Sequence, residues 1–331
     1  MKFEDVENAR KKYVEKRKAT LEKINRIAIP ISVGVCVGLP ILSFAINSGM
    51  APIFFGEFNV FALVSVVMSI FPLFFFVGII DLIVYAIILS VSTKEELTEY
   101  KKLYKAYFVA ESFRKVFSDI SYNHESELSP DVVKKVMTTG DRYSSNDLMT
   151  AKYKNIGFAQ ADVHTEREHE DDDGHTYYST IFRGRFLVFD FDRNFASNLQ
   201  VESKGFFGSV LPKSDGDSRK FEKLETESNE FNNCFTIRAQ DGIDALYILD
   251  PAFMEKIQNL YNSCGCELLL TFMDKKLYIA LNNHSDSFEI PSPSQPLDEK
   301  TELEKVQKDI LVITNFVDAL KLDKYFRGGE K

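Results

Sequence analysis

The chain has 331 residues, 45% of them hydrophobic, with 29 Phe, no Trp, four Cys and a formal net charge of −9. That length supports a sizeable core and two or three folded units. The sparse cysteines exclude a disulfide-stapled secreted scaffold, and the acid excess argues against a general nucleic-acid binder, which needs Lys and Arg to neutralise phosphates.

Residues 1–26 carry nine Lys/Arg, among them Arg10, Lys11, Lys12, Lys16, Arg17 and Lys18. No charge then occurs from Ile27 to Gly56, and residues 27–46 are enough helix to cross the roughly 30 Å hydrocarbon core of a bilayer. A second uncharged run covers 58–80, and the apolar sequence resumes after Asp81 as far as Val91. Two transmembrane helices forming a hairpin over 27–91 are expected; a cleaved signal would not be followed at once by a second span. The connecting stretch 47–57 has one acid and no base, whereas Lys94, Lys101, Lys102 and Lys105 follow the second span. The positive-inside rule places both termini in the cytoplasm and the protein in the inner (plasma) membrane as a multi-pass protein. Gly34 and Gly38, between Pro30 and Pro40, form a GxxxG pattern whose small residues let helices approach closely, within the hairpin or in a homodimer. Asp81 falls where the cytoplasmic interface is expected and reads as an interfacial acid, the other reading being an ion or proton site.

Beyond the hairpin, residues 92–145 read as connecting helices. Thr93 is placed to cap an amphipathic helix over 93–120, with Leu97, Tyr100, Tyr104, Tyr107, Phe108, Phe113, Val116 and Ile120 at helical spacing. A short helix starts at Ser129-Pro130. From 146 to 331 the pattern is that of an α+β domain, an antiparallel sheet with flanking helices. Strands are expected over 153–163, 177–191, 195–202, 231–238, 266–272 and 276–282, with turns at Asp192-Arg193-Asn194 and Met273-Asp274-Lys275. Asp250-Pro251 opens a helix, residues 291–296 form a Pro/Ser linker, and a last helix over 297–322 carries a stripe from Leu303 to Leu320 that suits core packing better than a coiled coil.

The segments IFRGRFLVFDFDRNF, with Phe182, Gly184 and Phe195, FNNCFTIRAQDGIDALYILDPAFMEKI from Phe231, and LLLTFMDKKLYIALN carry a resemblance. Over 182–289 the chain resembles the bacterial membrane-anchored domain-of-unknown-function 3137 family, and its N-terminal pair of apolar segments is similar too. The resemblance implies a bacterial membrane protein and supplies no catalytic residue.

One cluster suggests metal chemistry: His164, Glu166, Glu168, His169, Glu170, Asp171, Asp172, Asp173 and His175. Imidazoles with carboxylates suit zinc or manganese, and His164, His169, Asp171, Asp173 and His175 are the ligands such a site would use. The spacing does not put two His on one helix face, however, and adjacent carboxylates favour a solvated hairpin loop between strands ending near Val163 and starting near Tyr177. Cys264-Gly265-Cys266 lacks partner ligands and reads as ordinary buried thiols, a regulatory disulfide being the other reading. Gly205-Phe206-Phe207-Gly208 lacks the endings of a phosphate-binding loop, no GxSxG elbow occurs, and Asp241, Asp244 and Asp250 suit helix capping. Residues 92–331 hold 31 bases against 42 acids, which keeps the region off anionic lipid except through the basic N-terminal arm.

With no catalytic constellation and no cofactor motif, the sequence favours a non-enzymatic, membrane-anchored cytoplasmic scaffold. Its expected partners are the lipid bilayer and another membrane or cytoplasmic protein, with a homo-oligomer as a further option and no nucleic acid. The rival is a membrane-tethered metal-dependent hydrolase using the His/Asp cluster.

Overall fold

The structure, a computed structural model, describes the chain except residues 55–59, 192–193, 196, 207, 209–219, 321 and 323–331; side chains are also undescribed at 28–29, 36–37, 39–54 and 60–74. It divides into two compact units: Met1–Tyr104 with Pro291–Leu297, and Lys105–Ile290 with Asp298–Lys331.

The first unit is built on two long helices, α1 (Phe3–Phe54) and α2 (Val60–Tyr104). Three polar contacts join them: Lys12–Glu99 at 2.8 Å, Lys16–Glu96 at 2.7 Å, and Ser32 Oγ donating to Asp81. As the α1 number rises the α2 number falls, so the helices run antiparallel. The Pro-rich segment joins this unit through its carbonyls, which accept from Arg10 Nη1 (Pro293 O, 2.8 Å) and the Tyr100 hydroxyl (Pro291 O, 3.2 Å). Among the described residues, one helical run, Phe75–Val116, is long and apolar enough to cross a membrane, and none of its apolar window is buried. Most side chains of the other expected span, 27–46, lie outside the described residues, as does much of the 47–57 connection.

Thr93 does not cap a separate helix. It sits inside α2, its hydroxyl donating to Leu89 O at 2.8 Å. The expected amphipathic helix instead breaks into a π-helical turn (Lys105–Ala110) and α3 (Glu111–Val116), and Ile120 belongs to a strand. The buried stripe is nevertheless present: Tyr100, Tyr104, Phe108 and Phe113 are all buried.

The second unit contains β1 (Ser118–Asn123), α4 (Pro130–Val133), β2 (Arg142–Tyr153), β3 (Ile156–Glu170), β4 (Thr176–Asp190), β5 (Leu199–Ser203), β6 (Glu222–Leu224), α5 (Asn229–Cys234), β7 (Phe235–Ala239), α6 (Gly242–Ile248), α7 (Pro251–Cys264), β8 (Glu267–Met273), β9 (Lys276–Asn282) and α8 (Glu299–Leu320). The described strands form one antiparallel sheet ordered β1-β2-β3-β4-β9-β8-β5-β7-β6. The mixed α+β class is therefore as the pattern predicts. The 231–238 segment is not all strand: Ser228 Oγ accepts from Phe231 N–H and starts α5. The expected Asp192-Arg193-Asn194 hairpin falls partly outside the described residues, and the strands it was to join are apart, β4 pairing with β9 and β5 with β7 and β8.

Strand alternation gives the sheet two covered faces. Ala161, Phe186, Ala280 and Leu269 stand in register on one face, in a core with Val133, Val136 and Met137 from the α4 region. Phe158, Phe189, Leu277, Phe272 and Leu199 align on the other. There Phe117 and Phe253 meet Phe158 and Phe272, at ring distances of 5.2 and 6.0 Å.

Gly184 is required by close approach: a Cβ there would lie 2.0 Å from Leu281 O and 2.8 Å from Asn283 Oδ1. A fragment from Ser92 to the C-terminus is expected to unfold cooperatively. Gly184→Ala should lower its stability by at least about 2 kcal/mol, roughly 4–8 °C in Tm, while Gly157→Ala, which has ordinary van der Waals space, should be close to neutral. Equal melting temperatures for the two variants would refute this packing.

Candidate functional site

The second sheet face carries charge where its neighbours are apolar. Gln160 and Asp162 of β3 and Arg185 of β4 alternate with core residues, and with Asp147 and Lys105 they are each at most 5% exposed. Asp147 reaches this face from a bulge: its φ is 55°, and the β2–β3 register shifts between Asn146 and Met149. Lys105 opens the π-helical turn.

These groups form one connected set. Lys105 Nζ donates to both Asp147 oxygens, at 2.8 and 2.7 Å, and to Phe288 O at 2.8 Å. The Tyr122 hydroxyl donates to Asp147 Oδ1, and Gln160 Nε2 to Asp147 O at 3.1 Å. Ser287 N–H donates to Asp162 Oδ2 at 2.7 Å. Arg185 donates to Ser287 Oγ at 2.8 Å and to Asp309 O and Oδ1 at 2.6 and 3.3 Å, with its guanidinium 5.0 Å from the Phe288 ring centre. Asp309 Oδ2 in turn accepts from Phe288 N–H at 2.9 Å.

Two buried cations face two buried carboxylates and the partly exposed Asp309, so full ionisation would leave the set with one more negative charge than positive. Asp162 resolves the mismatch. Burial first, then repulsion from Asp147, push its carboxyl up to about 7, against the opposing pull of Arg185 and the Ser287 hydrogen bonds. Its Oδ1 is buried with no hydrogen-bond partner among the described residues, and protonation converts that acceptor into a donor. The Tyr122 hydroxyl is held protonated by burial and by Asp147. The set therefore ties the π-helical turn, the bulge, the 287–288 loop and α8 together, and it stores one proton near neutrality. Beside Arg185 lies a cavity of about 240 Å³ lined also by Cys264, Cys266, Asn283 and Phe316.

The sequence-predicted cluster lies elsewhere and is not a loop. β3 continues through Glu170 and β4 begins at Thr176, paired Glu170 to Thr176, so only 171–175 make the turn. His164 Nε2 is 3.1 Å from Thr180 Oγ1, and His169 Nε2 is 2.7 Å from Ser179 Oγ with its ring stacked on Tyr177. Asp171 Oδ1 accepts from Asp173 N–H (3.0 Å) and His175 N–H (2.7 Å), so it organises the turn; Asp173 and His175 are exposed. Among the described residues no three His, Cys, Asp or Glu side chains are placed to hold a metal ion. Gly34 and Gly38 are exposed, and a Cβ at either would meet nothing within 4 Å among the described residues. Asp81 is partly buried with its Ser32 contact.

Sequence reasoning missed Lys105, Asp147, Asp162, Arg185 and Asp309. A signal existed: Asp162 between Ala161 and Val163, and Arg185 between Gly184 and Phe186, are charges inside apolar strand runs.

The family model described as a protein of unknown function, DUF3137, matches residues 180–322. Over that stretch the chain resembles the family, from β4 through α8 and so beyond Glu289; the two long helices lie outside the match. No curated protein matches the chain significantly. Among solved structures, the mycobacterial trehalose monomycolate transport factor A, TtfA, is similar at 11% identity over 66% of this chain and 93% of that one, with a TM-score of 0.36. A likeness that slight carries no argument about fold or role.

The raised Asp162 carboxyl has a definite linkage sign. Its folded value lies above the ordinary carboxylate value, so the folded state holds more protons and stability falls as pH rises from about 4 to about 7. Asp162→Asn keeps an acceptor for Ser287 N–H without the charge. It should flatten that slope and be the more stable protein at pH 8, by on the order of 3 kcal/mol. Urea titrations across pH 5–8 measure this, and an unchanged slope in the variant would rule out Asp162 as the titrating group.

Proposed function

We propose that the chain is a membrane-anchored interaction protein: a two-helix transmembrane hairpin, both termini cytoplasmic, with an α+β unit that docks another protein at the inner face. The observation that carries the anchoring is the open apolar surface of α2. Phe75, Phe76, Ile80, Leu82, Ile83, Ile87 and Val91 are all exposed, far more contiguous apolar surface than a helix in water tolerates.

Docking is supported by α6. Ile243 and Tyr247 are 73% and 77% exposed, and Leu246 shares their side, a spacing that forms one helix face. Asp241 accepts the N–H groups of Ile243 and Asp244 and holds the start of the helix. Gly242 stands against Leu224 of β6, with exposed Glu222 two residues before that leucine and exposed Glu225 paired with Lys223 at 3.2 Å. The partner that fits is a protein with an apolar centre and a polar, mixed-charge edge.

Topology is tested with single cysteines in a Cys-free background. Position 52 should react with an impermeant reagent in intact cells, and positions 8 and 300 should not; labelling at 300 would overturn the hairpin. Docking is tested by the double change Ile243→Asp, Tyr247→Asp. Proteins retained by the native chain from its own membranes at low salt should be lost from the variant, and also lost at high salt. An identical retained set with the variant would remove α6 as the docking face.

A further inference from the structure

Cys264 is the last residue of α7, and Gly265 follows in the left-handed region at φ 61°, its N–H bonded to Tyr261 O at 3.1 Å. That reversal sets Cys266 just before β8, on the far side of a one-residue left-handed turn from Cys264. Both are free and only partly buried, and both line the 240 Å³ cavity beside Arg185. The sequence alone reads this pair as ordinary buried thiols. The fold instead places both on the wall of one small chamber that a cation also lines.

The two sulfurs are not equivalent. A helix C-terminus disfavours an anion, so a thiolate at Cys264 depends on its other neighbours. The neighbouring Cys266 thiol favours a thiolate there and Arg185 lies near, which brings Cys264 down to about 7 against the cost of burial, while the Ser263 hydroxyl donates to Leu260 O at 2.8 Å. Cys266 is driven the other way, by Cys264 first and then by burial and Glu267. One sulfur is thus set as nucleophile and the other as the thiol that resolves.

We propose that Cys264-Gly265-Cys266 is a redox-active dithiol that a small hydroperoxide oxidises to an intramolecular disulfide. The Cys264 thiolate attacks one peroxide oxygen, the O–O bond breaks, and the departing alkoxide takes a proton and leaves as an alcohol, or as water from hydrogen peroxide. The Cys264 sulfenic acid is then attacked by the Cys266 sulfur; the S–S bond forms, the S–O bond breaks, and the hydroxyl leaves with the thiol proton as water. Two thiols lose two electrons, and the peroxide gains them. A chamber this small suits a peroxide better than a bulky disulfide, and a small-molecule thiol returns the pair to the reduced state.

The test uses the full chain in detergent with hydrogen peroxide, followed by alkylation and peptide mass spectrometry. The expected result is loss of two hydrogens from the peptide holding Cys264 and Cys266, reversed by dithiothreitol, while half-buried Cys234 stays alkylatable. C266A should accumulate a dimedone-reactive sulfenic acid at Cys264, and C264S should leave Cys266 reduced. Oxidation of Cys264 in the native chain should show a midpoint near pH 7, and in C266A that midpoint should move up. Near-ultraviolet dichroism checks that both variants are folded. Oxidation of Cys264 no faster than Cys234, or a bridge from either thiol to another cysteine, would overturn the proposal.

Discussion

Burying Lys105 and Arg185 against one face of a sheet is the constraint on which the C-terminal unit turns. Each ion removed from water costs several kcal/mol unless geometry and hydrogen bonds return it. The unit meets that cost with chain elements that would otherwise have no reason to be where they are. The bulge at Asp147 supplies one carboxylate, α8 supplies Asp309, and the 287–288 loop supplies a carbonyl, a hydroxyl and two N–H groups. Removing Asp147 or Asp309 would strand a buried cation, so the bulge and α8 are held in place by electrostatics as well as by packing.

The network also divides the unit in an informative way. Arg185, Ser287, Phe288, Asp309 and the Cys264/Cys266 pair lie within the 180–322 stretch that matches the family model, whereas Lys105, Asp147 and Asp162 do not. The matched stretch therefore holds one cation with its own carboxylate, Arg185 with Asp309. The segment before it holds the second cation–carboxylate pair, Lys105 with Asp147, and the proton-storing Asp162. Each half is close to neutral by itself, and the two are joined by the Asp162–Ser287 and Lys105–Phe288 hydrogen bonds.

What the sequence makes legible follows from periodicity. The β8–β9 hairpin, α7 with its Asp250 cap, and the buried stripe of α8 could all be read directly, because one face of each is apolar at the right period. The distal half of the β3–β4 hairpin could not. Both its faces meet water, so charges such as Glu168 and Glu170 replace the alternation, and cross-strand contacts do the holding: the Arg142 guanidinium 3.3 Å from the Tyr178 ring centre, and the Tyr178 hydroxyl on Glu168 at 2.7 Å. Thr93 misled for a related reason. A threonine donating back to the carbonyl four residues earlier is compatible with an uninterrupted helix, and only the partner of its hydroxyl tells this from a cap. The polar network was invisible because its members come from seven segments of the chain and its spacing exists only in three dimensions.

The long helices pose the opposite problem. Exposed apolar side chains along α2 do not by themselves mark the register or the direction of a partner helix, since one aliphatic contact is much like the next. Among the described residues, polar contacts mark that register. Residue numbers in the Lys12–Glu99, Lys16–Glu96 and Ser32–Asp81 contacts sum to nearly the same value, as one antiparallel register requires. A slip by one turn would break all three at once. Counting Lys and Arg as free positive charge therefore overstates what the N-terminal arm offers to a surface. Lys12 and Lys16 answer acids on α2, and Arg10 answers Glu7 of its own helix at 2.7 Å.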